Sequence, residues 1–112
     1  MERPHEILMG VQVIDEAGYA RYRSEMMPLL EAHGGRFVLD VRVAETLRTP
    51  TPSAFNRLFV VRFPSAQQRD AFFAHRDCAA IRTRWFEPSV SGGVIRLGDF
   101  VPKLCRNLPA SL

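Results

Sequence analysis

Residues 6–43 read EILMGVQVIDEAGYARYRSEMMPLLEAHGGRFVLDVRV, and this stretch decides the fold. Apolar residues alternate with other residues through 6–14, which predicts a β-strand. Asp15 then offers an N-cap oxygen, and apolar residues recur at helical spacing up to about His33. A Gly-Gly pair ends that helix, and strand-like alternation resumes over 36–47. The stretch is therefore predicted to form a β-α-β unit.

The rest of the chain completes a ferredoxin-like order. A loop with two prolines precedes a third strand over 57–63, and Ser65 with Gln68 fits the capping box of a second helix. Asp77 is predicted to cap a short additional helix, and a last strand is expected over 93–100. We therefore predict an α+β fold, β-α-β-β-α-β, with an extra short helix before the last strand. Its four-stranded antiparallel sheet has helices on one face.

Length and composition predict a single domain. The chain has 112 residues, of which 46% are hydrophobic and 24% charged. We expect one domain over residues 5–100 and a C-terminal tail over 101–112. No apolar run approaches the ~20 residues that span a bilayer, and residues 1–6 lack the order of a secretory signal. A cytoplasmic protein without a membrane partner is the expectation.

Charge and cysteine patterns argue against several other classes. The formal charge of +3 is spread along the chain, so no basic stripe predicts nucleic-acid binding. Cys78 and Cys105 do not form a CxxC pair, and His75 with Cys78 supplies too few ligands for a metal. No nucleotide-binding or nucleophile motif is present. The sequence therefore predicts no metal and no cofactor.

The two faces of the predicted sheet differ in composition. The face under the helices is expected to be apolar, whereas the opposite face mixes apolar and charged residues. On strand alternation, the expected covered residues are Met9, Val11, Phe37, Leu39, Val41, Phe59, Val61, Phe63, Ile95 and Leu97. The expected open-face residues are Leu8, Gly10, Gln12, Val38, Asp40, Arg42, Leu58, Val60, Arg62 and Arg96. Because so many apolar side chains are costly to leave in water, we predict that a second copy covers this face in a homodimer.

The polar residues of that open face form a predicted network. Gln12, Asp40, Arg42 and Arg62 are expected to pair within the dimer or at its rim, with Arg96 nearby. An ion-pair network that fixes the register of the dimer is one interpretation, because buried charges must be paired. An anion-binding cavity between the two sheets is the other.

A family resemblance rests on two blocks. Asp15 opens the first helix, Tyr19 and Tyr22 lie three apart, Pro28 lies mid-helix, and Gly-Gly-Arg leads into the second strand through Arg36. The second block is a Phe-Pro-Ser followed by Ala-Phe-Phe and an aspartate, within residues 63–77. These blocks resemble an uncharacterised, domain-of-unknown-function branch of the dimeric α/β-barrel superfamily. The resemblance implies the ferredoxin-like dimer and small-molecule pockets between helix and sheet.

Four residues around the first helix are candidate site residues. Tyr19, Tyr22 and Arg36 are candidates for binding a ligand, because a tyrosine hydroxyl or a guanidinium can orient one. Tyr22 and His33 are candidates for acid-base catalysis. The alternatives are that the tyrosines only pack on the sheet, that His33 caps its helix, and that Arg36 is solvated.

Three functions remain open on this reasoning. The first is a homodimer that binds a small apolar or anionic ligand between the first helix and the sheet. The second, which the resemblance implies, is a cofactor-independent enzyme: an oxygenase, isomerase or dehalogenase-like protein acting on an aromatic or keto substrate. The third is a purely structural dimer. An enzyme requires at least two of the candidate polar groups to converge in one pocket.

Overall fold

The computed structural model describes the backbone of residues 4–49 and 54–99 and the side chains of residues 4–49 and 54–92. Nine elements follow one another in this part of the chain. They are β1 (His5–Val13), α1 (Glu16–Ala32), β2 (Arg36–Arg42), β3 (Arg57–Phe63), α2 (Ala66–Ala74), α3 (Arg76–Ile81), a π-helical turn (Arg82–Phe86), a 3-10 turn (Glu87–Ser89) and β4 (Val90–Asp99). The predicted β-α-β-β-α-β order, with extra helical structure before the last strand, is confirmed.

The four strands form one antiparallel sheet in the order β2-β3-β1-β4. The helices pack on one face of this sheet, and the core lies between the two layers. Its buried apolar residues are Ile7, Met9, Val11, Val13, Tyr19, Met26, Leu30, Phe59, Val61, Phe63, Phe72, Cys78, Phe86 and Val90. The fold is thus a two-layer α+β domain with a ferredoxin-like topology.

Local sequence signals explain how the first two helices begin and how α1 ends. A side-chain oxygen of Asp15 accepts a hydrogen bond from the Gly18 N–H at 3.1 Å, and the Ser65 hydroxyl accepts one from the Gln68 N–H at 3.1 Å. Gly34 adopts a positive φ of 73°, which lets the chain turn out of α1. Helix α1 continues through Pro28 rather than splitting there.

Several predicted boundaries are wrong. β2 ends at Arg42 rather than near residue 47, and β4 begins at Val90 rather than at residue 93. Asp77 does not cap α3, because the Nδ1 of His75 accepts the Asp77 N–H at 3.1 Å. The predicted tail over 101–112, with Cys105, lies outside the described residues.

The assignment of β2 side chains to the two faces is also wrong beyond Phe37. The β2–β3 register shifts between Phe37 and Leu39, so that Phe37 pairs with Val61 but Asp40 pairs with Phe59. Because one extra residue reverses the alternation, Asp40 turns to the helix side and Leu39 turns to the open face. Val41 follows Leu39 to the open face. Leu39 and Val41, predicted to lie in the core, are therefore on the open face, and Asp40, predicted to lie on the open face, faces the helices.

The chain itself already covers part of the open face. Val60 is only 1% exposed within the single chain. The ring of Phe55 lies over Gly10, where an added Cβ would approach it to 3.1 Å. The side chains of β4 from residue 93 onwards, including those of Ile95, Arg96 and Leu97, lie outside the described side chains. Within the described residues, no helix is long and apolar enough to cross a membrane.

Candidate functional site

An apolar cavity of about 170 Å³ lies between α1, the sheet, α2 and the π-helical turn. Aromatic rings and methionines form most of its wall. The lining residues are Met9, Tyr22, Arg23, Met26, Met27, Leu30, Phe37, Phe59, Val61, Phe63, Phe72, Phe73, Arg82 and Phe86. We call this space the apolar cavity.

A wider polar cleft of about 490 Å³ lies beside it, between the first half of α1 and the β2–β3 pair. Three arginines and one glutamate contribute to its wall. The lining residues are Glu16, Tyr19, Ala20, Arg23, Ser24, Met27, Arg42 and Arg57. Arg23 and Met27 belong to both walls, so these two side chains separate the polar cleft from the apolar cavity.

Arg23 makes hydrogen bonds or ring contacts with four neighbouring residues. Its Nε donates to the Tyr19 hydroxyl at 3.0 Å, and its two terminal nitrogens donate to the two oxygens of Asp40 at 3.1 and 3.2 Å. The guanidinium also lies over the rings of Phe37 and Phe59, 4.1 and 5.0 Å from their centroids. Burial disfavours the Arg23 charge, but the hydrogen bonds to Asp40 and Tyr19 outweigh it and raise the pKa of Arg23.

Arg57 lies close to the same groups but is held loosely. Its side chain is 15% exposed, and its nearest carboxylate oxygens belong to Glu16 at 3.6 Å and Asp40 at 3.9 Å. Both distances exceed hydrogen-bond length. Its Nε is buried and has no hydrogen-bond partner among the described residues. The polar cleft therefore contains a guanidinium that contacts two carboxylates loosely, lies 5.1 Å from the centroid of the Tyr19 ring, and has one buried donor without a partner among the described residues.

The two tyrosines occupy different places in this arrangement. The Tyr19 hydroxyl accepts the Arg23 bond in the polar cleft, whereas Tyr22 lines the apolar cavity and packs its ring 4.8 Å from that of Phe86. Burial raises the pKa of both phenols, more strongly for Tyr22. Burial also raises the pKa of the Cys78 thiol. These groups are consequently protonated near neutral pH and are poorly suited to act as bases.

The structure does not bring Tyr22 and His33 together. They are separated by eleven residues of α1, which corresponds to about 16 Å along the helix axis. The His33 ring packs against Phe72 and His75, and its Nδ1 lies 2.9 Å from the Leu29 carbonyl oxygen, at the end of the helix. His33 lines neither the apolar cavity nor the polar cleft. The expected acid-base pair is therefore not assembled.

Arg36 is also outside both spaces. It lies at the start of β2 opposite Arg62 and is exposed to solvent. It cannot orient a ligand in the apolar cavity from that position. Arg23 and Arg82 in the cavity wall, and Arg57 in the neighbouring polar cleft, supply positive charge here, whereas Arg36 does not.

The predicted open-face network is divided between the two faces. The β2 bulge directs Asp40 towards Arg23, and the Arg42 guanidinium lies 3.9 Å from Glu16 of α1. Arg62 remains next to β1, where its guanidinium lies 3.6 Å from the buried carboxylate of Glu6. Gln12 is half-buried in β1. The four residues therefore do not form one network in the single chain.

Arg23 and Arg57 are the site residues that the sequence reasoning missed, although signals for both were present. Arg23 falls between Tyr22 and Met26 on the buried stripe of α1, and an arginine on such a stripe requires a partner. Arg57 shares strand parity with Phe59 and therefore faces the helices. The bulge that brings Asp40 to both arginines has no comparable signal in the sequence.

Comparisons with known proteins agree with this architecture. The model of a domain of unknown function, DUF1330, matches residues 7–85. Two crystal structures of the RPA0582 protein of unknown function from Rhodopseudomonas palustris, one of them methylated, are 18% identical with a TM-score of 0.67; both matches cover 91% of this chain, and 86% and 84% of those chains. A dabb family protein with a ferredoxin-like fold from Mesorhizobium loti is 16% identical with a TM-score of 0.59, and the match covers 88% of this chain and 96% of that chain. No curated protein matches.

The family match covers more than half of the chain, so the protein belongs to the DUF1330 family. The predicted resemblance to a domain-of-unknown-function branch with a ferredoxin-like fold is confirmed. At these low identities the solved structures establish the fold alone.

Proposed function

We propose that this DUF1330 protein is a homodimer that binds a small ligand with an apolar, ring-sized body between α1 and the sheet. The apolar cavity is the observation that carries the proposal. Its volume of about 170 Å³ is similar to that of an engineered cavity of ~150 Å³ that stays dry and binds benzene. A single six-membered ring is the size of group that this space accepts.

The wall chemistry supports an aromatic or other flat apolar group. Phe37, Phe59, Phe63, Phe72 and Phe86 present ring faces and edges around the space. Methionines complete the wall, and their flexible thioethers adapt to ligands of different outline.

Binding is favoured over acid-base catalysis by the state of the polar groups. Tyr22, the phenol in the cavity wall, has a raised pKa, so it is protonated at neutral pH. His33 lies outside the wall. The described lining residues therefore offer hydrogen-bond donors and apolar contacts, and none of them is a histidine or a carboxylate that could remove a proton.

Exposed apolar residues on β2 support the homodimer. Val38, Leu39 and Val41 are 43%, 41% and 40% exposed, and the bulge places Leu39 and Val41 together on the open face. A sheet face with adjacent exposed apolar side chains is a typical contact surface between subunits.

Ligand binding is tested through the methionine methyl groups. Three of the four methionines, Met9, Met26 and Met27, line the apolar cavity. In a protein labelled at the methionine methyl carbons, titration with benzyl alcohol is expected to shift these three NMR signals.

A cavity-filling variant provides the control for that titration. Val61→Phe adds a ring inside the cavity and is expected to weaken benzyl alcohol binding at least tenfold, whereas Leu47→Phe enlarges a side chain that is 87% exposed and leaves binding unchanged. Circular dichroism checks that both variants are folded. If the wild-type methyl signals do not respond to benzyl alcohol, the ligand-binding proposal is wrong.

Sedimentation equilibrium tests the homodimer separately. Leu39→Asp introduces a charge at the exposed surface of β2 and is expected to weaken dimerisation by tenfold or more, since like charges would face each other around the two-fold axis. Leu47→Asp, in the exposed segment after β2, serves as the control. A wild-type protein that sediments as a monomer contradicts this part of the proposal.

A further inference from the structure

We infer that the ligand carries a carboxylate, and that Arg57 binds this carboxylate in the polar cleft while the apolar body occupies the apolar cavity. This inference rests on the proposed function and narrows it to one chemical class, the small aromatic or apolar carboxylic acids.

The contrast between two neighbouring arginines carries the inference. Arg23 uses its Nε and both terminal nitrogens in hydrogen bonds to Tyr19 and Asp40. Arg57 makes no such bond among the described residues, although its side chain is only 15% exposed. Its Nε is buried without a hydrogen-bond partner, and its terminal nitrogens reach carboxylate oxygens only at 3.6 and 3.9 Å. Buried donors are normally paired, so such a guanidinium in the wall of a cleft indicates an acceptor that arrives from outside the chain.

The ligand class follows from what a guanidinium recognises. Its planar fork of N–H donors matches the two oxygens of a carboxylate and binds them in a bidentate, charge-assisted manner. Arg42 contributes a further positive charge to the wall, and Arg23 already has its charge matched by Asp40. A carboxylate would thus enter a cleft that has excess positive charge.

Strand geometry places Arg57 at a suitable distance from the apolar cavity. Arg57 and Phe59 lie two residues apart on the same face of β3, and Phe59 lines the apolar cavity. Two residues of strand correspond to about 7 Å. A ring over Phe59 joined to a carboxylate by a short chain spans that distance.

The Glu16 carboxylate would compete with a ligand carboxylate for the N–H donors of Arg57. The Glu16 carboxylate lies 3.6 Å from Arg57, but its side chain is 61% exposed at the first turn of α1. Because it is held at more than hydrogen-bond distance, it can move into solvent when a ligand carboxylate binds. Removal of the Glu16 charge should therefore strengthen ligand binding, whereas removal of the Arg57 charge should weaken it.

Isothermal titration calorimetry with two matched probes tests the inference. The probes are 3-phenylpropionate and its neutral counterpart 3-phenylpropan-1-ol. The wild-type protein is expected to bind the acid about tenfold more tightly than the alcohol. In Arg57→Gln this preference is expected to disappear, and in Glu16→Gln the acid is expected to bind roughly threefold more tightly than to wild type.

Arg76→Gln is the control, because it removes the same charge from an exposed site on α3, outside both spaces. Equal affinity of the two probes for wild type would overturn the inference and leave the proposed function intact. A loss of preference in Arg76→Gln equal to that in Arg57→Gln would also overturn it, since net charge would then explain the preference. Failure of both probes to bind would overturn the proposed function itself. If Arg57→Gln does not fold, the sign of the Glu16→Gln effect decides.

Discussion

The apolar cavity and the polar cleft share Arg23 and Met27. They differ in how completely other residues of the chain satisfy the hydrogen-bonding groups in their walls. Most of the cavity wall consists of apolar side chains that belong to the core cluster or pack against it. The polar cleft contains Arg57, whose donors lack hydrogen bonds within the described residues. Packing explains the first wall, whereas the second includes a buried donor that the described residues leave without a partner. On the proposed function, Arg23 serves the fold and Arg57 serves the ligand.

The largest expected effect is on stability and follows from Arg23. Arg23→Leu removes three hydrogen bonds and leaves Asp40 without its closest partner, so we expect the free energy of unfolding to fall by about 2–3 kcal/mol. Arg57→Gln is expected to change it by less than about 0.5 kcal/mol. Urea unfolding of the two variants measures both values.

A matched change on the same helix controls for the loss of a charge. Arg21→Leu breaks the exposed ion pair with Glu25 and the contact of the Arg21 guanidinium with the Trp85 ring, 5.0 Å from its centroid, and is expected to cost about 1 kcal/mol or less. If Arg57→Gln proves as destabilising as Arg23→Leu, the two arginines have the same structural role, and the comparison between the two walls fails.

A smaller effect is expected at alkaline pH and concerns the cavity wall. Burial raises the pKa of Tyr19 and Tyr22 above their ordinary value of 10.0, so the unfolded chain loses these protons at lower pH than the folded protein. Stability that is fully present below about pH 10 is therefore lost as the pH rises further, at about 1.4 kcal/mol per pH unit for each tyrosine. Urea unfolding between about pH 9 and 11 measures this slope.

Tyr22→Phe isolates the contribution of one phenol to that slope. The buried thiol of Cys78 has a raised pKa and adds to the loss of stability, but it is retained in the variant. The difference between wild type and Tyr22→Phe is therefore the contribution of Tyr22. Identical slopes in the two proteins would show that Tyr22 titrates alike in the folded and unfolded states, contrary to its burial in the cavity wall.

Much of the fold was predictable because it depends on local signals. Capping residues fixed the starts of α1 and α2, and the alternation of RLFVVRF gave the bounds of β3 correctly. The bulge after Phe37 was not predictable, since the regular alternation of Phe37, Leu39 and Val41 favours one unbroken apolar face. That single extra residue moved Leu39 and Val41 to the surface and Asp40 to the helices.

The site was predicted less well than the fold. The structure has a cavity between α1 and the sheet with Tyr22 in its wall, and ligand binding there stays a prediction. His33 and Arg36 were assigned to the same region as the tyrosines because all four lie on or next to the first helix, but a helix of 17 residues separates its two ends by about 25 Å. The pairing of Arg23 with Asp40 depends on the bulge and could not be derived from the pattern.

The central claim is that the apolar cavity holds the ring of the ligand and Arg57 binds its carboxylate. The most direct test is a crystal structure of the protein soaked or co-crystallised with 3-phenylpropionate. We predict that the phenyl ring lies in the apolar cavity beside Phe59, and that the carboxylate oxygens accept hydrogen bonds from Arg57, with Glu16 moved away from it. A carboxylate bound to Arg36 or left in solvent, with Arg57 unchanged, would contradict the account.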